Sequence, residues 1–196
     1  MTDRGHIWLL QSLRGLPEEH LWKLLLFAYV LRPRKNGFEI SRRLLATRVV
    51  RFRTWTFALE NSILMPDDIL DYLDEKREEV GKSLQRVVMT PVFKFGQYEC
   101  RKSKDFVFDY LQSLNDVGIL PGSPRFEKKN YHQSLSAANN IARHVYANHD
   151  GCACAKHSGY KQRAELVTQL EKCFEKMGLC LECVEGVLYE GHPAHE

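Results

Sequence analysis

Between Pro17 and Pro33 the chain carries Leu21, Trp22, Leu24, Leu25, Leu26, Phe27, Tyr29, Val30 and Leu31, and almost no polar face is left over. The run opens as Leu16-Pro17-Glu18-Glu19, with proline in the first helical position and carboxylates at the positive end of the helix dipole. A helix that is apolar nearly all round is expected to be buried on most sides, so the rest of the chain has to supply its cover. Lys23 interrupts the run, which falls short of the roughly 20 apolar residues needed to span a bilayer. It reads as a core helix, and no membrane association is expected.

The segments that follow carry their own helix signals. Residues 34–37, Arg-Lys-Asn-Gly, read as a loop. Residues 40–59 read as a helix with Leu45, Val49 and Phe52 on one stripe, although the middle is rich in β-branched and aromatic residues. Pro66-Asp67-Asp68 opens the clearest helix, with Ile69, Leu73, Val80, Leu84 and Val87 on one stripe and an end expected at Thr90-Pro91. Phe106, Tyr110, Leu111, Leu114 and Val117 mark another, closed by Gly118 with Ile119 returning to Leu114 as in a Schellman cap. Ser134 is placed to cap a helix running to His149. A last helix carries Tyr160, Ala164, Val167, Leu170, Phe174 and Met177, with Gly178 and Leu179 expected to form a second glycine cap.

This pattern predicts a mainly α protein, an irregular bundle of five to six helices followed by a short C-terminal cysteine/histidine knuckle. Pro121-Gly122-Ser123-Pro124 reads as a hinge. It divides a helical domain over 1–120 from a smaller helical lobe over 121–196, unless the two are one continuous domain. At 196 residues, with 44% hydrophobic and 27% charged, the chain is long enough and apolar enough for a folded core.

The most chemically specific stretch is Cys180-Leu181-Glu182-Cys183 followed by His192-Pro193-Ala194-His195. Paired thiols and paired imidazoles, each three residues apart, can converge on one point, and zinc takes four such ligands tetrahedrally. Gly186 and Gly191 flank Val187-Leu188-Tyr189, which lets the chain reverse between the pairs. Four protein ligands leave no place for a reacting water, so the expected role is structural. The plain alternative is that Cys180 and Cys183 are small buried hydrophobes and that both histidines belong to a tail. Cys152, Cys154 and His157 form a reserve set. They are separated from the first by a helix over 158–177, about 26 Å long for its last 18 residues, which argues against one shared site. The N-terminus has no apolar stretch long enough for a secretory signal. A reducing compartment, cytoplasmic or nuclear, is therefore expected, and metal or free-thiol readings of the six cysteines lead over disulfides.

The order Leu64-Met65-Pro66-Asp67-Asp68-Ile69, Glu75-Lys76-Arg77, Cys100 and Gly118-Ile119-Leu120-Pro121 resembles the helical region downstream of the BTB domain in uncharacterised filamentous-fungal proteins. The run Gly178-Leu179-Cys180-Leu181-Glu182-Cys183-Val184 is similar to the cysteine knuckle that ends some of them. What the resemblance implies is an interaction or scaffold role without catalysis. No BTB domain is recognisable ahead of residue 60, so dimerisation and ubiquitin-ligase adaptor roles are not carried over.

Charge is unevenly placed. Residues 1–54 hold eleven Lys or Arg against four Asp or Glu, and the remainder 17 against 21, within a net charge of +3. The first third thus suits an anionic partner or an acidic segment of the same chain. Nucleic-acid binding through the basic segment 42–53, interleaved with Phe52 and Trp55, is the alternative function. It is not favoured, because Arg42, Arg43, Arg48, Arg51 and Arg53 point around the whole circumference of a helix. An enzyme is not expected: Cys154 and His157 lack a third orienting residue, and Asp67-Asp68 and Glu78-Glu79 suit a helix start and a solvated face. The leading expectation is a protein-interaction or scaffold module whose partners are other proteins, stabilised by zinc.

Overall fold

The structure, a computed structural model, describes residues 13, 15–31, 34–65, 68–97, 99, 101–148 and 159–184. The chain is mainly α-helical, and there is no strand among the described residues. None of its described helices is long and apolar enough to cross a membrane. Contacts group the chain into two compact units, one of Met1–Val80 with Phe174–Glu196, the other of Gly81–Cys173.

In the first unit, α1 (Glu18–Leu31) packs along α2 (Arg34–Thr47). Leu21, Trp22, Leu25 and Ala28 form one buried stripe of α1. The expectation of burial on most sides is not met: Phe27, Val30 and Leu31 are 61%, 51% and 72% exposed. Within this unit, one stripe of four residues is the share of α1 that α2 and its neighbours cover. Helix α2 also replaces the loop expected over 34–37. Glycine there serves packing rather than a turn, since a Cβ on Gly37 would lie 2.6 Å from Leu181 Cδ1 and 3.8 Å from Ala28 Cβ.

The helix expected over 40–59 stops at Thr47, and a 3-10 turn (Phe52–Thr54) and α3 (Thr56–Glu60) follow. Side chains of α4 (Ile69–Gly96) meet the backbone groups that the break releases. The Asp74 carboxylate accepts from the N–H groups of Phe52 (2.8 Å) and Arg53 (3.1 Å), and the Arg77 guanidinium donates to the Val49 carbonyl. A break satisfied in this way overrides the weak helical preference of the Val49-Val50 region. Trp22 anchors the aromatic core here, edge-on to Trp55 at 5.8 Å, its indole N–H donating to the Asn61 carbonyl at 3.3 Å.

In the second unit, α4 runs through Pro91 instead of ending there. Proline removes the N–H that would serve the Val87 carbonyl, a cost of about 3 kcal/mol. Continuing the helix extends the buried stripe of Leu84 and Val88 to Phe95, whose ring lies 4.1 Å from that of Phe106. Tyr110 donates its buried hydroxyl to the Val88 carbonyl (2.8 Å), and Ser103 caps the Phe95 carbonyl. Tertiary contacts thus offset the local penalty.

Helix α5 (Arg101–Asp116) ends in the expected Schellman cap. The Ile119 N–H reaches the Leu114 carbonyl at 2.8 Å, the Gly118 N–H reaches Asn115 at 3.0 Å, and Gly118 sits at φ 70°. Helix α6 (Tyr131–Asn148) begins earlier than expected. Its cap is Asn130, whose Oδ1 accepts from the Gln133 N–H (2.9 Å) while Gln133 Oε1 accepts from the Asn130 N–H (3.1 Å). This reciprocal box leaves Ser134, expected as the cap, buried within the first turn. Helix α7 (Gly159–Glu175) buries Leu166 and Leu170, and the Leu170 carbonyl accepts from the Tyr131 hydroxyl at 2.7 Å. Burial raises the pKa of that phenol.

Candidate functional site

The cysteine-bearing segment is positioned by α2 of the first unit. Phe38 and Ser41 face the chain over 177–181, which leads into the short α8 (Leu181–Val184). Gly178 does not adopt the left-handed conformation of a glycine cap, which corrects the expected second Schellman motif. It is needed for close approach instead: a Cβ there would lie 2.6 Å from Cδ1, Cδ2 and Cε1 of Phe38. One residue on, the Leu179 N–H donates to Ser41 Oγ at 2.8 Å, and the same hydroxyl donates to the Phe38 carbonyl at 2.9 Å. Leu179 and Leu181 are buried, and Cys180 between them is half-buried.

Of the expected zinc ligands, only Cys180 has a described side chain. Cys183 belongs to α8, but its side chain lies outside the description, and His192 and His195 lie outside the described residues, as do Cys152, Cys154 and His157. Among the described residues no group of three or more His, Cys, Asp or Glu side chains is arranged to hold a metal ion. Cys173 belongs to the other unit, where burial raises the pKa of its thiol.

The basic segment is drawn into the first unit. Arg42 pairs with Glu39 and lies over the Phe174 ring at 4.8 Å, with Arg43 over the same ring at 5.7 Å. Arg48 donates to Glu18 at 2.6 Å and stacks over Trp55 at 4.1 Å, its side chain only 9% exposed. Arg53 pairs with Asp71, and this hydrogen bond raises the guanidinium pKa and lowers that of the carboxyl. Arg51 approaches Glu78 at 3.6 Å, both more than half exposed. The carboxylates of α4 therefore meet the 3-10 turn and its flanks. Arg77 lies beside them, its pKa lowered by burial despite Asp74.

These arginines look alike in sequence and differ in consequence. Arg48→Ala loses a partly buried ion pair and the cover of an indole face, and is expected to destabilise the chain by about 1–2 kcal/mol. Arg51→Ala, at an exposed pair, is expected to change stability by less than about 0.5 kcal/mol. Urea unfolding of both variants checks the contrast; equal midpoints would remove the structural role given to Arg48.

The exposed apolar end of α1 was the residue set least apparent in sequence. Phe27, Val30 and Leu31 stand at i, i+3 and i+4, one helical face, in a run whose apolar circumference is as compatible with a partner as with burial. No protein-family model, curated protein or solved structure matches this chain.

Proposed function

We propose that the chain is a non-catalytic protein-interaction or scaffold module that presents the Phe27, Val30 and Leu31 face of α1 to another protein. The observation that carries this reading is the exposure of all three side chains on one face of a helix whose opposite stripe is fully buried. Large apolar groups clustered on a surface are a recurring property of interaction sites. The engagement of Arg48, Arg51 and Arg53 by Glu18, Glu78 and Asp71 weighs against the nucleic-acid alternative, because these charges already have partners. The test is cross-linking from Lys23, the exposed residue one turn before Phe27. The full chain should give a defined cross-linked partner that is lost with Phe27→Ser and Leu31→Ser combined, while the melting midpoint is kept. Cross-links that are unchanged in the variant would sink the reading.

The same proposal includes a structural zinc held by Cys180, Cys183, His192 and His195, in a knuckle following α7. Its support is that the first of the four follows directly on Leu179, which Ser41 fixes to α2, so one ligand is held on a rigid frame. Metal binding would fasten the residues beyond α8. Protein purified without chelator is expected to carry one zinc per chain by mass spectrometry, and Cys180→Ser with Cys183→Ser to carry none. Occupancy should fall as pH drops through the histidine range near 6.5. Metal-free protein, or metal retained by the double variant, would count against the site.

A further inference from the structure

We propose that a concavity of the second unit, between the end of α5 and the start of α6, binds a small phosphorylated anion through Arg125, Lys128 and Lys129. The cleft has a volume of about 450 Å³, within the range of small-molecule sites. All three cations line it, with Asp116 as the one acid of the lining. Their spacing of three and four residues comes from a chain of turns. The N–H of Ser123 bonds Leu120, that of Phe126 bonds Ser123, and that of Lys129 bonds Phe126, at 3.0–3.2 Å. Phe126 is buried and pins this loop.

Gly118 forms the floor. A Cβ built on it would lie 3.0 Å from Arg125 Cβ, 3.3 Å from Arg125 Cδ and 3.3 Å from Lys129 Cε, so both stems rest on its bare backbone. The floor is also the carbonyl end of α5, and a bland role for the cations is to offset that helix end and Asp116. The magnitudes do not match. A helix end carries roughly half a charge, and the opening turn of α6, which supplies Gln133, returns about the same amount of the opposite sign. Three full positive charges against one carboxylate leave a surplus of roughly two. None of the three pairs with a carboxylate among the described residues, and Glu127, in the same loop, is exposed and not part of the lining.

A surplus of two charges, presented by a guanidinium fork and two ammonium groups, suits a tetrahedral phosphate dianion better than a single carboxylate. Gln133 also lines the cleft, and with its Oε1 engaged by the Asn130 N–H the polar group it has left to offer is a neutral N–H donor. The cations converge on one concavity instead of following a track, which favours a compact phosphorylated ligand over a nucleic-acid strand.

The experiment is calorimetric titration of the full chain with tripolyphosphate at physiological salt. Saturable binding at one site is expected, weakened by about tenfold or more in Lys128→Gln with Lys129→Gln. Lys102→Gln with Lys104→Gln, at exposed positions of α5 outside the cleft, should leave it unchanged. Melting curves establish that both variants fold. Absence of saturable binding, or equal weakening in the control variant, overturns the proposal. So does tight binding of a thymidine oligonucleotide that tripolyphosphate cannot displace. Vesicles containing phosphatidic acid identify the source: pelleting of the protein that tripolyphosphate reverses assigns the phosphate to a lipid headgroup, and no pelleting assigns it to a soluble ligand.

Discussion

Trp22→Ala is expected to lower the stability of the chain by about 3–5 kcal/mol, the range for removing a large buried aromatic side chain. Trp22 has no exposed surface, meets Trp55 edge-on at 5.8 Å, and donates to the Asn61 carbonyl at 3.3 Å. The substitution therefore opens a cavity and also leaves a carbonyl without its donor. Against a typical total of 5–15 kcal/mol, such a loss brings the first unit close to its threshold. Trp22→Phe keeps most of the volume and should cost markedly less. Denaturant midpoints read the difference; a cost below about 1 kcal/mol for the alanine variant would show that Trp22 does not anchor this core.

Gly178→Val is expected to cost about 2–3 kcal/mol by overpacking. The added Cβ would stand 2.6 Å from three atoms of the Phe38 ring, and a ring cannot yield as a chain end can. Either Phe38 leaves its place or the segment over 177–181 lifts, and lifting breaks the Leu179 N–H bond to Ser41 Oγ. Phe38→Ala should recover part of the loss, with a coupling energy of about 1 kcal/mol or more in a double-mutant cycle. Strict additivity of the two substitutions would mean that the clash is relieved some other way.

Helix content was legible because local signals and tertiary structure agreed at several points. Gly118-Ile119 shows the agreement in full, since only a glycine takes φ 70° cheaply and the apolar residue after it returns to Leu114. Elsewhere a local signal was outvoted by contacts distant in sequence. Pro91 is a helix stop by itself, but α4 continues past it because Phe95 reaches Phe106 and Ser103 caps the Phe95 carbonyl. Gly178 carries the same composition cue as Gly118 and serves a different purpose, which only the Phe38 ring reveals. Periodicity spread the arginines over 42–53 around a helix that in fact ends at Thr47, so the pairs with Glu18, Asp71 and Glu78 had no local cue. Of the candidate site, spacing identified the cysteine segment, and the structure adds the frame under Cys180 that spacing has no means to show.

The bond between Ser41 and Leu179 joins residues 138 positions apart, with the whole of Gly81–Cys173 intervening. On a ribosome adding about 5–20 residues per second, α2 is made roughly 7 to 28 s before the residues that cover it. For that interval the bare strip of Gly37, Phe38 and Ser41 faces the translation environment without its native cover, while the inserted unit can already form contacts of its own. The cover of α2 over Phe38 and Ser41 is thus completed only after the inserted unit has been made, although α2 can pack on α1 long before.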